Sequence, residues 1–176
     1  MTGRERSAAV LREGTDSDLD ACVSLWVDAC ARRDGVRVPG VAERARPKFS
    51  RREAWVVAER AERIEPAGPV ERRITGFVLA TEPGSGQASD PSGAVVVGLL
   101  AVDPSEQGRG VGSLLLSAVT TSLTEQGHGQ AVLHVLTSNL AAVHLYVSQG
   151  WRPVGDTFEH TLLKKPFQTY VIDLRA

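Results

Sequence analysis

An apolar run, GAVVVGLLAV at 93–102, is stopped by Asp103-Pro104, and three glycines then fall within five positions, Gly108, Gly110 and Gly112, ahead of a leucine-rich stretch. Its β-branched residues make the run a strand, and the stretch from about Gly112 to Glu125 reads as a helix. A second apolar run, QAVLHVLT at 130–137, reads as a buried strand. Strand, glycine turn, helix and strand in that order form a crossover whose two strands lie parallel in one sheet. A fold built on this unit needs further strands beside it and helices covering both faces.

The rest of the chain supplies them. SAAVLREG reads as a first strand, and the segment from Thr15 to Gly35 as a helix, since Leu19, Cys22, Val23, Trp26, Val27 and Cys30 recur at three and four residues. Thr15 and Asp18 have capping-box spacing, and Gly35 is a stop signal. A short second helix is expected over Val41 to Phe49, then strands at 54–59, 72–81 and 93–102. RAERIEPAGPVE and EPGSGQASDPSG read as long connections between those strands. NLAAVHLYVSQG reads as a short helix stopping at Gly150, and FQTYVIDLR as a last strand. The mixed order predicts an α/β or α+β sheet with helices on both faces.

At 176 residues and 42% apolar content, the chain suits one globular domain over residues 8–176 behind a flexible start at 1–7. Charge is nearly balanced, 20 Lys and Arg against 21 Asp and Glu, with no basic stripe carrying aromatics, which argues against a nucleic-acid partner. No signal-peptide pattern or membrane-spanning apolar stretch is present, so the expected location is the cytoplasm. Cys22 and Cys30, about two helical turns apart, are too distant for a disulfide and read as reduced core thiols. No metal site is expected.

Glycines at a helix start let backbone N–H groups converge on an anion, where the helix dipole adds about half a positive charge. The loop is therefore a phosphate cradle. It is not a Walker loop, for no Lys follows Gly112, and in the dinucleotide pattern the third glycine falls on Ser113. Gln107, Gly110 and Gly112 instead meet the [QR]-x-x-G-x-[GA] coenzyme A loop of the GNAT family of N-acetyltransferases. Asn139, Ala142, Leu145, Tyr146, Gly150 and Trp151 meet that family's N-x-x-A-x-x-L-Y-x-x-x-G-[FW] segment, and the resemblance covers roughly residues 8 to 174.

The resemblance implies a mostly antiparallel sheet whose fourth and fifth strands splay apart around acetyl-CoA. It places the pantetheine arm on the backbone of Leu100, Ala101 and Val102, and the pyrophosphate on the amides of Gln107, Gly108, Arg109, Gly110, Val111 and Gly112. Gln107 and Arg109 would add side-chain contacts, although a solvated surface charge explains Arg109 equally well. Asn139 would hold the pantetheine arm or cap its helix. Tyr146 would be the general acid at the departing sulfur, or else an aromatic that packs the helix.

The implied reaction is acetyl transfer to a primary amine of a small molecule by direct attack, with a non-catalytic acyl-CoA sensor or a protein N-acetyltransferase as the alternatives. Glu82, Asp103, Glu106 and His134 are candidate bases. Trp26, Asp28, Arg32, Arg33, Asp34, Phe158, Glu159 and His160 are expected around the acceptor, where acids would hold a cationic amine. Phe158-Glu159-His160 stands where relatives acting on protein N-termini usually carry paired tyrosines, which disfavours a peptide. Leu99, Leu100 and Leu136 would set acyl length, and TYVIDL is apolar enough to pair two copies as a homodimer.

Overall fold

The chain enters β1 (Val10–Glu13) and then a 3-10 turn, Asp16–Asp18, that leads into α1 (Leu19–Asp34). The expected capping geometry forms: the Thr15 N–H donates to Asp18 Oδ2 and the Asp18 N–H to the Thr15 carbonyl, both at 2.8 Å. Gly35 closes α1 at φ 73°. The structure, a computed structural model, describes residues 8–63 and 67–175, so the expectation of a flexible 1–7 lies outside the described residues.

α2 (Val41–Ala45) is shorter than expected. Pro47 lacks a backbone donor, and the remainder winds as a 3-10 segment over Arg46–Arg51. There follow β2 (Arg52–Arg63), β3 (Val70–Thr81), β4 (Val95–Val102), α3 (Val111–Glu125), β5 (Gln130–Leu136), α4 (Leu140–Ser148), β6 (Arg152–Glu159) and β7 (Pro166–Asp173). The sheet order is β1-β2-β3-β4-β5-β7-β6, antiparallel everywhere except between β4 and β5. That parallel pair registers at Val95↔Ala131 and Val96↔Val132, and past Val96 the strands part, as the resemblance implies.

Three expectations need correction. RAERIEPAGPVE is not loop throughout, since β2 runs on to Arg63 and β3 begins at Val70, pairing Glu62 with Glu71. After α4 there are two strands, and the additional one, β6, is an exposed edge with Pro153, Gly155 and a register break between Val154 and Phe158. TYVIDL lies largely in β7, which is hydrogen-bonded to β5 on one side and β6 on the other, so it has no free edge for a second copy.

Side chains alternate across the central strands. Trp55, Val57, Phe77, Leu79 and Leu99 pack with Cys22, Val23 and Phe49 under α1. Ala58, Val78, Val95 and Val97 pack with Leu115, Leu116, Val119 and Leu123 of α3. Cys22 and Cys30 are buried free thiols, and burial pushes both up, Cys22 to about 12, so neither is a thiolate near neutral pH. Among the described residues no helix is long and apolar enough to cross a membrane.

Candidate active site

A cleft of about 1330 Å³ opens where β4 and β5 part. The glycine loop forms one end of it. Gly108 and Gly110 take φ 76° and 78°, and a Cβ on either would meet nothing within 4 Å, so both leave open space above a left-handed backbone. Gly110 caps α3, and the amides that follow it belong to the first turn, which a helix leaves without internal partners. Gly112 has a different duty: a Cβ there would lie 3.3 Å from Leu145 Cδ2, so its bareness lets α4 approach α3.

Gln107, Gly108, Gly110, Val111 and Gly112 line the cleft together with Leu100, Ala101, Val102, Asn139 and Tyr146. Arg109 is exposed and is not part of the lining. Asn139 does cap α4, its Oδ1 accepting the Ala142 N–H at 3.3 Å. Tyr146 is partly buried, with its ring centroid 6.3 Å from that of Trp151. Desolvation pushes its phenol up to about 12 against the opposing pull of the Arg33 charge.

The four candidate bases separate. His134 lines the cleft from β5, and its Nε2 lies 2.7 Å from Asp90 Oδ1, with side-chain exposures of 14% and 7%. Asp90 Oδ2 also accepts the Gln87 N–H at 2.8 Å, and the edge of Phe158 meets the imidazole at 5.7 Å between centroids. Glu106 reaches the lining but is 1% exposed and bonded to Arg60 at 2.6 Å. Asp103 is desolvated, yet two bonds from Ser105 and the Arg73 charge bring its carboxyl below the usual range. It caps the turn before the loop rather than lining the cleft. Glu82 lies outside the lining and pairs with Arg51 at 2.6 Å. Residues 85–87 of the following loop fold against the cleft instead.

At the acceptor end, Trp26, Arg32, Arg33, Asp34, Phe158 and His160 line the cleft, whereas Asp28 and Glu159 do not. Asp28 pairs with Arg37, and Glu159 lies 3.9 Å from Lys164. The expected acids that would hold a cation are thus reduced to Asp34, itself bonded to Arg33 at 2.8 and 2.9 Å. Phe158 and Glu159 belong to β6 rather than to a loop. His160 Nδ1 accepts the Leu162 and Leu163 N–H groups at 3.2 and 3.0 Å. Burial and the nearby Arg44, Arg33 and Lys48 charges lower its pKa, so the ring is neutral at pH 7. Asp90, Arg44 and Lys48 escaped the sequence reading because nothing in their local pattern marks a contact so distant along the chain.

The family model described as acetyltransferase (GNAT) family matches residues 37–151. Among curated proteins, the chain is 39% identical over 80 residues to a mycothiol acetyltransferase of Streptosporangium roseum, covering 45% of this chain and 23% of that one. It is 34% identical over 111 residues to a mycothiol acetyltransferase of Rhodococcus opacus, 56% of this chain and 35% of the relative. The chain thus spans about a third or less of the length of these relatives. Among solved structures, a chain of the NatC complex bound to Gag peptide and CoA superposes with TM-score 0.71 at 13% identity, covering 96% of this chain and all of that one. Salmonella typhimurium yncA, solved with its cofactor acetyl-CoA, gives 0.67 at 17% identity, with 97% and 96% covered. The fold is that of the GNAT acetyltransferases, and the chain belongs to the GNAT family.

Proposed function

We propose that residues 8–176 form an acetyl-CoA-dependent N-acetyltransferase that transfers acetyl to a primary amine of a small molecule by direct attack, without a covalent enzyme intermediate. The observation that carries this reading is the convergence of the glycine loop, Tyr146 and the His134–Asp90 pair on one cleft at the β4–β5 split. The names of the curated relatives support a small acceptor. Two buried, protonated thiols support direct transfer and suit a cytoplasmic setting.

Bound acetyl-CoA supplies an activated thioester. Gly108, Gly110 and the first turn of α3 fit its pyrophosphate, with open space and free donors where Cβ atoms would otherwise stand. Past Val96 the side of β4 that faces β5 is free of ladder pairing, so the backbone of Leu100, Ala101 and Val102 fits the pantetheine amides. Asn139, which lines the cleft as well as capping α4, would hold the arm. A typical aliphatic amine is about 99.9% protonated at pH 7, a penalty of about 4 kcal/mol. With the Nε2–H of His134 donating to Asp90, Nδ1 carries the lone pair that takes a proton from the amine. The phenol of Tyr146, held protonated by desolvation, donates to the departing sulfur.

Calorimetric titration with acetyl-CoA, beside Gly110→Asp, tests the reading. Binding by the natural chain that is lost in the variant, followed by thiol release with amines, supports it. A natural chain that fails to bind acetyl-CoA overturns it.

A further inference from the structure

Across the cleft from the glycine loop, four cations converge from separate elements: Arg33 at the end of α1, Arg44 on α2, Lys48 in the 3-10 segment that follows, and Lys165 ahead of β7. Asp34 is the one acid in this part of the lining, and both its oxygens already accept from Arg33. Arg44 reaches over the opening to donate to Thr161 Oγ1 at 3.2 Å, tying α2 to the β6–β7 connection.

Lys48 is the most exacting member. A Cβ on Gly98 would lie 3.7 Å from its Nζ, which places the ammonium at the floor of the cleft, two residues beyond the last β4–β5 pairing. Among the described residues it has neither a hydrogen bond nor an ion pair, and desolvation with the Arg44 charge lowers its pKa. A partly buried cation with no acid beside it is costly, and an anion is what would offset it. That anion is not the cofactor's pyrophosphate: at about 3.3 Å per residue, Gly98 lies about 13 Å along β4 from Val102, which itself precedes the glycine loop.

We propose, building on the acetyltransferase reading, that the acceptor is an amine that also carries an oxyanion, a carboxylate or a phosphate, which Arg44, Lys48 and Lys165 receive while its amine faces His134. The His160 ring, neutral and stacked on Phe167 at 4.6 Å between centroids, forms an uncharged part of the same wall. A polyamine or other purely cationic acceptor meets repulsion there.

The test is calorimetric binding to the CoA-saturated protein of matched pairs: an aliphatic amino acid against its amide, and phosphoethanolamine against ethanolamine. In at least one pair the anionic member should bind tenfold or more tightly, and the pair that shows the preference separates carboxylate from phosphate. Lys48→Met should erase the preference while leaving CoA affinity within twofold, and Arg44→Gln, on the exposed rim, should weaken it in the same direction. Equal binding within both pairs, tighter binding of spermidine, or no binding by either anionic member overturns the proposal. CoA affinity, measured separately, reports on the acetyltransferase reading, so the two fail independently.

Discussion

The imidazole of His134, on the strand that leaves the split, is 2.7 Å from the carboxylate of Asp90, a loop residue 44 positions earlier. Gln87 steadies that carboxylate through its backbone N–H, and a Cβ on Gly86 would strike it at 2.2 Å, so the loop wraps closely around the pair. Such an arrangement fixes a tautomer and aims one ring nitrogen.

His134→Ala should therefore lower kcat at pH 7 by about 100-fold. The loss should shrink as pH rises towards the acceptor's own pKa, where the amine needs no base. Asp90→Asn should show a smaller loss with the same pH trend. A deficit that is flat in pH would assign His134 to packing instead.

For Tyr146→Phe the expectation is a fall in kcat of about 100-fold with acetyl-CoA affinity within about twofold. Because burial raises the phenol to about 12, the natural chain should show a tyrosine absorbance step near that pH that the variant lacks. A variant with unchanged kcat would favour a non-catalytic acyl-CoA sensor.

The loop glycines should differ in kind. Gly110→Ala places a side chain at φ 78° and should cost about 1 kcal/mol of stability while weakening acetyl-CoA binding. Gly112→Val presses on Leu145, 3.3 Å from the new Cβ, and should shift α4 and so reduce kcat more than cofactor affinity. Urea melts and calorimetry on the two variants separate the effects.

How much of this was legible in advance depended on range. The Thr15–Asp18 cap and the glycine turn are each written within a few residues, the crossover follows from consecutive elements each with its own local pattern, and all three formed where expected. β6 is an edge strand on which Val154 and Phe158 alone are partly buried, so it has little apolar alternation, and the charged ends of β2 and β3 give no burial signal. Glu106 looks like a surface acid in a polar loop, yet it is buried against Arg60, 46 residues away. Asp90 and Lys48 gain their surroundings only when loops and helices close on the cleft. Pairings of that separation are set by the assembled sheet, which local pattern does not encode.

Near the first strand, Arg12 donates to Asp18 at 2.7 and 2.9 Å and holds its carboxyl at about 2 against desolvation. A carboxyl depressed in the folded state stabilises above its ordinary pKa and loses that contribution as pH falls through the folded value. The share owed to Asp18, about 2 kcal/mol, should be lost between pH 4 and pH 2, and Asp18→Asn should remove about as much at pH 7. Urea midpoints of both proteins across that range check it, and parallel curves would reject the coupling.

Two rungs of ladder, at Val95 and Val96, are what the two leaves of this sheet share as main-chain bonding. Side chains supply further adhesion at the seam, from α3 on one face, from Val96, Val132 and Val171 on the other, and through the His134–Asp90 and Arg44–Thr161 contacts. Widening the cleft therefore strains the His134–Asp90 and Arg44–Thr161 ties and the side-chain packing at the seam rather than any strand pairing.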